Sequence, residues 1–439
     1  MREMKDSGIE WIGKIPADWI IQKVKNATSY IGSGTTPTSG KSEFYDDGTV
    51  NWIQSGDLYG KDEINDVSAN VTDYAVKLFS ALHIYKAPFI VIAMYGGSVG
   101  NIAISNIDAC VNQACCCIQE DSQNYLKFMY YWLFSCKSDF LRVTDGGGQP
   151  NISQTKIKNQ YYLQPSLPEQ HSISSYLDAK CAEIDALTVD IQSQIEMLEQ
   201  YKRSVITEAV TKGLDKDVEM KDSGIDGAGV TPSHWKTTRL CYECYIRASL
   251  GWRGLKADEY VDEGYAFISA FNIQNGKLVW TPLNYITKER FDESPEIKLH
   301  SGDVLIVKDG AGVGKCARVD DLPMGGTAPN SSIAVITPSK NLDYRYVCYY
   351  LQSAVFNNFV LLLYNGMGVP HLTQEVMSKI KILVPPLKEQ MVISDYLDAK
   401  CTEIDAVVET KKSQLATLDE YKKSLIFEYV TGKKEVPAV

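Results

Sequence analysis

The chain repeats itself internally, and this repeat constrains its fold more than any other feature. The segment MKDSGI at residues 4–9 returns at residues 220–225, and Pro16 and Trp19 return in register as Pro232 and Trp235. A second match joins residues 167–185 to residues 387–405, and both contain Tyr-Leu-Asp-Ala-Lys-Cys. The sequences between these matching segments share only scattered positions. This pattern predicts two copies of one scaffold that present two different surfaces.

Length and composition limit the number of domains and the class of protein that the chain can form. A chain of 439 residues is long enough for two or three domains with their own cores. No stretch approaches the roughly 18 to 20 uninterrupted apolar residues of a membrane span, and the N-terminus lacks the apolar core of a signal peptide. We therefore expect a cytoplasmic protein. The eleven cysteines are expected to be reduced thiols.

The net charge of −11 is unevenly distributed. Residues 167–213 carry −4, residues 214–235 carry −3 and residues 387–430 carry −3, so most of the acidity belongs to the repeated frame. The divergent segments are nearly neutral, with −3 for residues 25–166 and +1 for residues 236–386. Whole-chain charge therefore neither excludes nor favours a DNA surface.

Two long helices are predicted from the repeated frame. After Pro168 and after Pro386 no proline or glycine occurs until Gly213 and Gly432, which leaves roughly 42 residues, or about 63 Å of helix. Apolar residues recur every seven positions in both copies, as in a coiled coil. In the first copy they are Leu177, Ile184, Ile191, Leu198 and Val205, flanked by Leu187, Ile195 and Tyr201; in the second they are Leu397, Ile404, Leu418 and Leu425, with Lys411 breaking the series.

We predict that the two helices pair antiparallel, because each would otherwise expose an apolar stripe. The alternative is that each helix packs separately on its own domain. The expected fold class is α+β, with two mixed α/β domains joined by two long antiparallel helices in a coiled-coil spacer and related by a pseudo-twofold internal repeat. The expected boundaries are residues 1–165 for the first domain with its N-terminal arm, 166–213 for the central helix, 214–384 for the second domain, and 385–439 for the C-terminal helix and tail.

Polar side chains gather in the glycine-rich loops of both divergent segments. Asn, Gln, Arg and Lys are side chains that read base edges, and Ser and Thr hold phosphates, so the loops are candidate DNA-binding surfaces. For any single residue, ordinary loop polarity is the better explanation, and the set is more persuasive than its members. The candidates of the first segment are Ser33, Thr35, Thr36, Thr38, Ser55, Asp57, Tyr95, Ser98, Asn101, Asn112, Gln113, Gln149 and Asn151. Those of the second are Arg247, Trp252, Arg253, Lys256, Asn272, Lys308, Lys315, Asn330, Ser331 and His371.

Catalytic motifs are not found in the sequence. The loop at residues 309–315 ends in Gly-Lys but has Asp309 and Cys316 where a phosphate-binding loop needs Gly and Ser or Thr. The pair Cys241 and Cys244 has no second pair to complete a zinc site. The Pro-Pro pair at residues 385–386 lies in Val-Pro-Pro-Leu, which is not the catalytic loop of an amino-methyltransferase. No catalytic residue, metal site or cofactor is expected in this chain.

The whole chain resembles a specificity subunit of a type I restriction–modification system. The resemblance rests on the opening MKDSGIEWIGKIPADW, the Gly-Ser-Gly-Thr-Thr-Pro loop at residues 32–37, the segment at residues 52–58, the Pro-Pro-Leu-Lys-Glu-Gln helix start, and the ending at residues 425–432. It implies two target recognition domains that each read half of a bipartite, asymmetric site in double-stranded DNA. It also implies helices that dock two methyltransferase subunits, which carry S-adenosylmethionine for adenine methylation, with restriction subunits joining the full complex.

One segment departs from this pattern. Residues 226–231 of the second copy read Asp-Gly-Ala-Gly-Val-Thr where the first has Glu-Trp-Ile-Gly-Lys-Ile, so we expect looser packing of the second arm. Two other functional classes stay open on the sequence alone. One is a self-sufficient methyltransferase or nuclease, which methylation by the purified chain would reveal. The other is a coiled-coil scaffold without a DNA function, which would show no sequence preference on DNA.

Overall fold

The computed structural model describes residues 2–142, 151–248, 255–310, 312–364 and 371–437. It divides into two compact units, the first formed by Met1–Ile191 with Gln414–Val439 and the second by Gln192–Ser413. Three predicted site residues, Gln149, Trp252 and Arg253, lie outside the described residues.

The first unit is built around a five-stranded sheet. Its strands are Met4–Asp6 (β1), Lys14–Pro16 (β2), Ile20–Lys23 (β3), Thr28–Ser33 (β4), Val50–Ile53 (β5), Glu63–Ile64 (β6), Asn70–Val71 (β7), Phe89–Ala93 (β8), Ile102–Ser105 (β9), Cys110–Val111 (β10), Cys115–Glu120 (β11) and Tyr161–Gln164 (β12). Its shorter helices are Asp73–Leu78 (α1), Leu126–Ser135 (α2), Lys137–Arg142 (α3) and Gln154–Asn159 (α4), and the long helix Leu167–Lys212 (α5) begins here. The sheet orders are β4-β11-β8-β9-β6, β10-β5-β7, β1-β2 and β12-β3.

Strand β8 shows why this sheet is central. Its sequence, Phe-Ile-Val-Ile-Ala, is apolar at every position and is buried at every position. Ile90 and Ile92 belong to the core that contains helix α2, whereas Phe89 and Val91 belong to a second core on the opposite face. A strand covered on both faces is expected to be continuously apolar rather than alternating.

The second unit repeats this plan. Its strands are Met220–Asp222 (β13), Val230–Pro232 (β14), Lys236–Arg239 (β15), Cys244–Ala248 (β16), Tyr265–Ile268 (β17), Ile273–Gln274 (β18), Gly276–Leu278 (β19), Asn284–Ile286 (β20), Val304–Val307 (β21), Cys316–Arg318 (β22), Thr327–Pro329 (β23), Ile333–Pro338 (β24) and Lys381–Val384 (β25). Its shorter helices are Leu240–Glu243 (α6), Lys288–Asp292 (α7), Tyr344–Gln352 (α8), Ala354–Tyr364 (α9) and Gln374–Ser378 (α10), and the long helix Leu387–Val430 (α11) begins here. The sheet orders are β16-β24-β21-β22-β19-β18, β20-β17-β23, β13-β14 and β15-β25, so the predicted internal repeat is confirmed.

The repeated frame residues make equivalent hydrogen bonds in each unit. Gln170 accepts a hydrogen bond from the Tyr125 backbone N–H at 2.8 Å, and Gln390 accepts one from the Asp343 N–H at the same distance. Further pairs behave in the same way. They are the Trp19 indole with Glu169 and the Trp235 indole with Glu389, at 3.2 and 3.0 Å, and the Tyr131 hydroxyl with Asp178 and the Tyr349 hydroxyl with Asp398, at 2.7 and 2.6 Å.

The long helices run antiparallel inside each unit. In the first unit the beginning of α5 meets the end of α11, where Lys422 Nζ lies 2.8 Å from Asp185 and the rings of Tyr176 and Tyr429 are 4.6 Å apart. In the second unit the end of α5 meets the beginning of α11, where Lys202 Nζ lies 2.6 Å from Asp405. The antiparallel pairing is thus confirmed, and separate packing of each helix is excluded within these units.

Two of the predicted flanking residues are not part of the buried stripe. Leu177, Ile184 and Leu397 are buried as the heptad spacing predicts. Leu187 and Tyr201 are 52% and 50% exposed. The apolar stripe is therefore narrower in the middle of α5 than predicted.

No single helix within the described ranges is both long and apolar enough to cross a membrane. One bent pair, Tyr344–Gln352 with Ala354–Leu363, satisfies the length and composition criteria together, with a bend of 56°.

Candidate nucleic-acid interface

Three strand ends of the first unit meet at one edge of the five-stranded sheet. Because β11 pairs antiparallel with β4 and β8, the end of β4 at Ser33 lies opposite Cys116, and the end of β8 at Ala93 lies opposite Cys115. The loops that leave these strand ends therefore emerge together. We call this the first recognition edge; its members are Ser33, Thr35, Thr36, Tyr95, Asn112, Gln113 and Asn151.

Hydrogen bonds connect the loops along the first recognition edge. The Thr36 hydroxyl donates to the Gln113 side-chain oxygen, Tyr95 forms a backbone bridge with Asn151, and the Asn112 N–H donates to Ile53 O at 3.0 Å. The last contact brings Ser55, just beyond β5, close to the same edge. Sequence spacing could not show this grouping, since its members come from four separate segments.

A glycine allows the closest approach between these loops. A Cβ atom added to Gly34 would lie 1.6 Å from the Val111 carbonyl oxygen, so a larger residue would force the loop after β4 away from β10. This is the physical role of the second glycine in the Gly-Ser-Gly-Thr-Thr-Pro loop.

The exposed side chains of the first recognition edge are neutral. Thr36, Gln113 and Asn151 are exposed, and Tyr95 and Asn112 are half-buried. Burial raises the pKa of Tyr95, so its hydroxyl remains protonated at neutral pH. Hydroxyl and amide groups both donate and accept hydrogen bonds, which suits the mixed pattern of donors and acceptors on base edges.

The second unit forms the equivalent edge from β16, β24 and β21. Ala248 lies opposite Ala334, and Val307 lies opposite Ile333, so the same three strand ends converge. The Lys308 N–H donates to Ser332 O at 2.7 Å, and the Leu372 N–H donates to Lys308 O at 2.9 Å. The second recognition edge thus contains Lys308, Asp309, Asn330, Ser331 and His371.

The second recognition edge carries charge, unlike the first. Asp309 accepts from the Lys308 ammonium, and its other oxygen lies 2.7 Å from His371 Nδ1. Partial burial opposes ionisation of Asp309, but its hydrogen bonds to Lys308 and His371 outweigh this, and the pKa of Asp309 lies below its usual value. The lysine is therefore held in place by a carboxylate, and a ligand that binds its ammonium must compete with Asp309.

Arg247 must be removed from the candidate DNA contacts. Its side chain points into the second unit, where the guanidinium lies 2.5 Å from Asp303 Oδ2 and donates to the backbone oxygens of Glu296 and Lys298 at 3.0 and 2.8 Å. Arg247 is 8% exposed and Asp303 is 1% exposed. Its positive charge is compensated inside the fold, so it is not available at the surface.

Four further candidates also have structural roles in the fold. Asp57 is buried and accepts from the backbone N–H groups of Gln54 and Ser68. Asn272 is buried and donates to the oxygens of Val279 and Pro282. The remaining two are Ser98, which is buried, and Asn101, which is half-buried and accepts from Lys137 at 2.9 Å.

The remaining candidates are exposed or half-buried but are not joined to the edges by these contacts. Thr38 and Lys256 are exposed, and Lys256 precedes the turn that leads into β17. Lys315 is also exposed and lines a cavity of about 520 Å³ together with Lys202, Arg203 and Lys412 of the long helices. Lys315 therefore lies beside the helices of its own unit.

The sequence analysis missed Asp309 as a site residue. In the sequence, Asp309 stands where a phosphate-binding loop would have its first glycine. The available signal was two charged residues, Lys308 and Asp309, directly after an apolar strand, since site residues are often found in loops at strand ends. Within the described ranges no group of three or more His, Cys, Asp or Glu residues is arranged to hold a metal ion.

Comparison with known proteins identifies relatives over most of the chain. The family described as Type I restriction modification DNA specificity domain matches residues 19–197 and 252–417. The chain is 25% identical over 313 residues to the type I restriction enzyme MjaVIII specificity subunit of Methanocaldococcus jannaschii, covering 70% of each protein. It is 24% identical over 447 residues to the putative MjaX specificity subunit of the same organism, covering 97% of this chain and 96% of the relative.

The fold also matches a solved structure. A chain from work on complex assembly and conformational transition of the type I R-M system superposes with a TM-score of 0.67. The two are 17% identical, and the match covers 96% of this chain and 99% of the other. At that identity the likeness establishes the fold.

Proposed function

The chain belongs to the type I restriction-modification DNA specificity family, and from this membership we propose that it is the non-catalytic subunit that reads DNA sequence in such a complex. Each recognition edge reads one half of a bipartite, asymmetric site in double-stranded DNA. The observation that carries the proposal is that corresponding strand ends converge in both units while the side chains they present differ. A common scaffold with different hydrogen-bonding groups is suited to reading two unrelated half-sites.

The two edges are expected to read DNA in different ways. The first presents neutral hydroxyl and amide groups, of which Thr36 and Gln113 are already hydrogen-bonded to each other. The second presents Lys308 and His371, both bound to Asp309. Because Asp309 lies between two basic side chains, it favours a defined orientation of both. It also reduces their non-specific attraction to DNA phosphates. We therefore propose that Asp309 positions Lys308 and His371 for base contacts.

The long helices are proposed to dock two methyltransferase subunits and to set the distance between the half-sites. The middle of α5 exposes large apolar side chains, including Leu187 at 52%, Val189 at 70% and Met197 at 56%. Exposed apolar residues on an acidic helix suit a protein partner better than DNA. S-adenosylmethionine and the methylation chemistry are assigned to those partners, and restriction subunits bind through them.

Substitutions at the two edges test the proposal when methylated sites are mapped in a host that expresses this chain with its methyltransferase partner. Gln113→Ala should change the preference in one half-site, and His371→Ala should change the other. A lost base contact costs on the order of 1 to 3 kcal/mol.

Matched controls lie at the opposite ends of the same sheets. Asn106 is an exposed amide just beyond β9, and His300 is an exposed imidazole just before β21. Asn106→Ala and His300→Ala should leave both half-sites unchanged. If the edge variants change both halves equally, or methylate without sequence preference, independent reading by the two edges is wrong.

A further inference from the structure

An apolar cavity of about 650 Å³ lies in the second unit. It is lined mainly by residues 225–227, which we call the arm turn, and by helix α9, with contributions from α8 and the start of β25. The residues used below are Ile225, Gly227, Tyr350, Val355, Phe356 and Leu362. Cavities of this size are typical of sites for small molecules.

The internal repeat shows what occupies the same place in the first unit. Alignment of residues 4–9 with 220–225 places Trp11 opposite Gly227, and the equivalent hydrogen bonds of Tyr131 and Tyr349 place Trp132 opposite Tyr350. In the first unit the Trp11 ring lies 6.1 Å from the Trp132 ring and 6.1 Å from the Phe427 ring. An indole therefore fills the space between the arm and helix α2.

The second unit lacks both indoles and the phenyl ring of this cluster, and keeps one smaller aromatic ring, that of Tyr350. The counterpart of Phe427 in the repeated helix is Thr207, so an indole, a second indole and a phenyl ring are replaced by Gly227, Tyr350 and Thr207. The turn itself also differs, because Gly227 has a φ of +80°, a backbone conformation that a tryptophan rarely adopts. The loss of a large side chain from a packed site creates a cavity when the surroundings relax only in part.

Tyr350, one of the residues that line the cavity, carries an unsatisfied hydroxyl. In the first unit the Trp132 indole N–H donates to the Tyr161 carbonyl at 2.7 Å. In the second, the Tyr350 hydroxyl is buried and has no hydrogen-bond partner among the described residues. A buried hydroxyl without a partner costs free energy, which a ligand that bonds to it recovers.

The lysines that line the cavity are already engaged. Lys379 Nζ lies 2.6 Å from Glu375, and Lys381 Nζ donates to Gly224 O at 2.7 Å. A charged ligand would have to compete with these contacts, whereas a neutral one would leave them intact. Apolar cavities of this kind are known to bind small aromatic molecules.

We propose that this cavity is a binding site for a small neutral aromatic molecule of the indole class. Its ring system lies between the arm turn and helix α9, in the place that Trp11 takes in the first unit, and its polar group bonds to the Tyr350 hydroxyl. The site is separate from the DNA-reading role, since the lining residues do not include any member of the second recognition edge.

Titration of the full-length chain with 5-fluoroindole, followed by fluorine NMR and calorimetry, tests the proposal. We expect saturable binding of one molecule per chain. Tyr350→Phe keeps the cavity and removes the hydroxyl, and should weaken binding several-fold. Val355→Trp fills the cavity from inside, and Leu362→Trp blocks it from a position that is 64% exposed and tolerant of change. Each should abolish binding.

The first unit supplies a matched gain-of-binding control. Trp11→Gly should open the corresponding space and add a second site, so that fluoroindole binds with two molecules per chain and raises the melting temperature of the variant. Absence of saturable binding to the unmodified chain would overturn the proposal. Equal binding by the unmodified chain and by both blocking variants would overturn it as well, because the ligand would then lie elsewhere.

Discussion

The buried pair of Arg247 and Asp303 provides a sharp test of how the second unit is held together. The guanidinium binds the carboxylate, two backbone oxygens and the Thr337 hydroxyl at 3.1 Å. Asp303 also accepts from the His300 N–H at 2.8 Å. Every one of these groups lies within the second unit, so Arg247→Ala should destabilise that unit alone.

The magnitude follows from burial. Asp303 is 1% exposed, and removal of Arg247 leaves its carboxylate without a counter-charge in the interior. Breaking a buried ion pair in this way costs about 3 to 5 kcal/mol. For a unit of the size of residues 192–413, each kcal/mol lowers the melting temperature by about 2 to 4 °C, so the expected decrease is roughly 6 to 20 °C.

Thermal and urea unfolding of the full chain, with and without the proposed methyltransferase partner, would measure this change. The double variant Arg247→Met with Asp303→Leu removes both charges and should recover much of the lost stability. Arg290 provides an arginine control, because its pair with Glu259 is partly exposed to solvent. Arg290→Ala should shift the unfolding transition much less.

The opposite result would restore Arg247 as a DNA contact. If Arg247→Ala left the unfolding transition unchanged but altered the methylated half-site, the side chain would have to reach the surface. The burial argument would then be wrong. If the double variant loses as much stability as Arg247→Ala, packing and not charge compensation is the main contribution of Arg247 to the stability of the unit.

Three further predictions concern the helices, the exchange of segments and the cysteines. Insertion of one heptad into both helices, within residues 187–198 and 407–418, lengthens each by about 10 Å, which corresponds to roughly 3 base pairs of DNA. Methylation mapping should then show a longer gap between unchanged half-sites, or no specific methylation. Replacement of residues 236–386 by those of a relative should change one half-site only, as read by the same mapping. Burial raises the pKa of Cys110, Cys116 and Cys136 to about 12, whereas thiols of the unfolded chain ionise near pH 8.5. The free energy of unfolding should therefore be constant below about pH 8.5 and fall as the pH rises toward about 12. Urea unfolding midpoints at pH 8 and 10 would detect this decrease.

The long helices were predictable from sequence because their signals are local. Proline and glycine mark both ends, and the heptad spacing between Leu177 and Val205 identifies the packed stripe. The exposure of Leu187 and Tyr201 was not predictable, since heptad spacing alone does not define how wide the covered stripe is. That width depends on the partner helix and on the domain packed beside it.

The recognition edges were predictable only in part. Polar loop residues such as Thr36 and Gln113 are visible in the sequence, but their grouping depends on the pairing of β4 with β11, strands more than 80 residues apart. Arg247 was placed among the candidate loop residues because arginine is one of the side chains that read base edges. Its partner Asp303 lies 56 residues away along the chain, and a pairing of this kind leaves no local signal.

The residues of the repeated frame are distinct from those of the recognition edges, and this affects how substitutions at the edges act. Glu169 and Glu389, Gln170 and Gln390, and Asp178 and Asp398 make the same hydrogen bonds in both units, although the sheets they support present different side chains. Substitutions at residues that share no contacts usually add independently in free energy. Changes at the first recognition edge are therefore expected to leave intact the bonds that hold the domain to its helix. This independence explains why the same repeated frame can support two segments of divergent sequence within one chain.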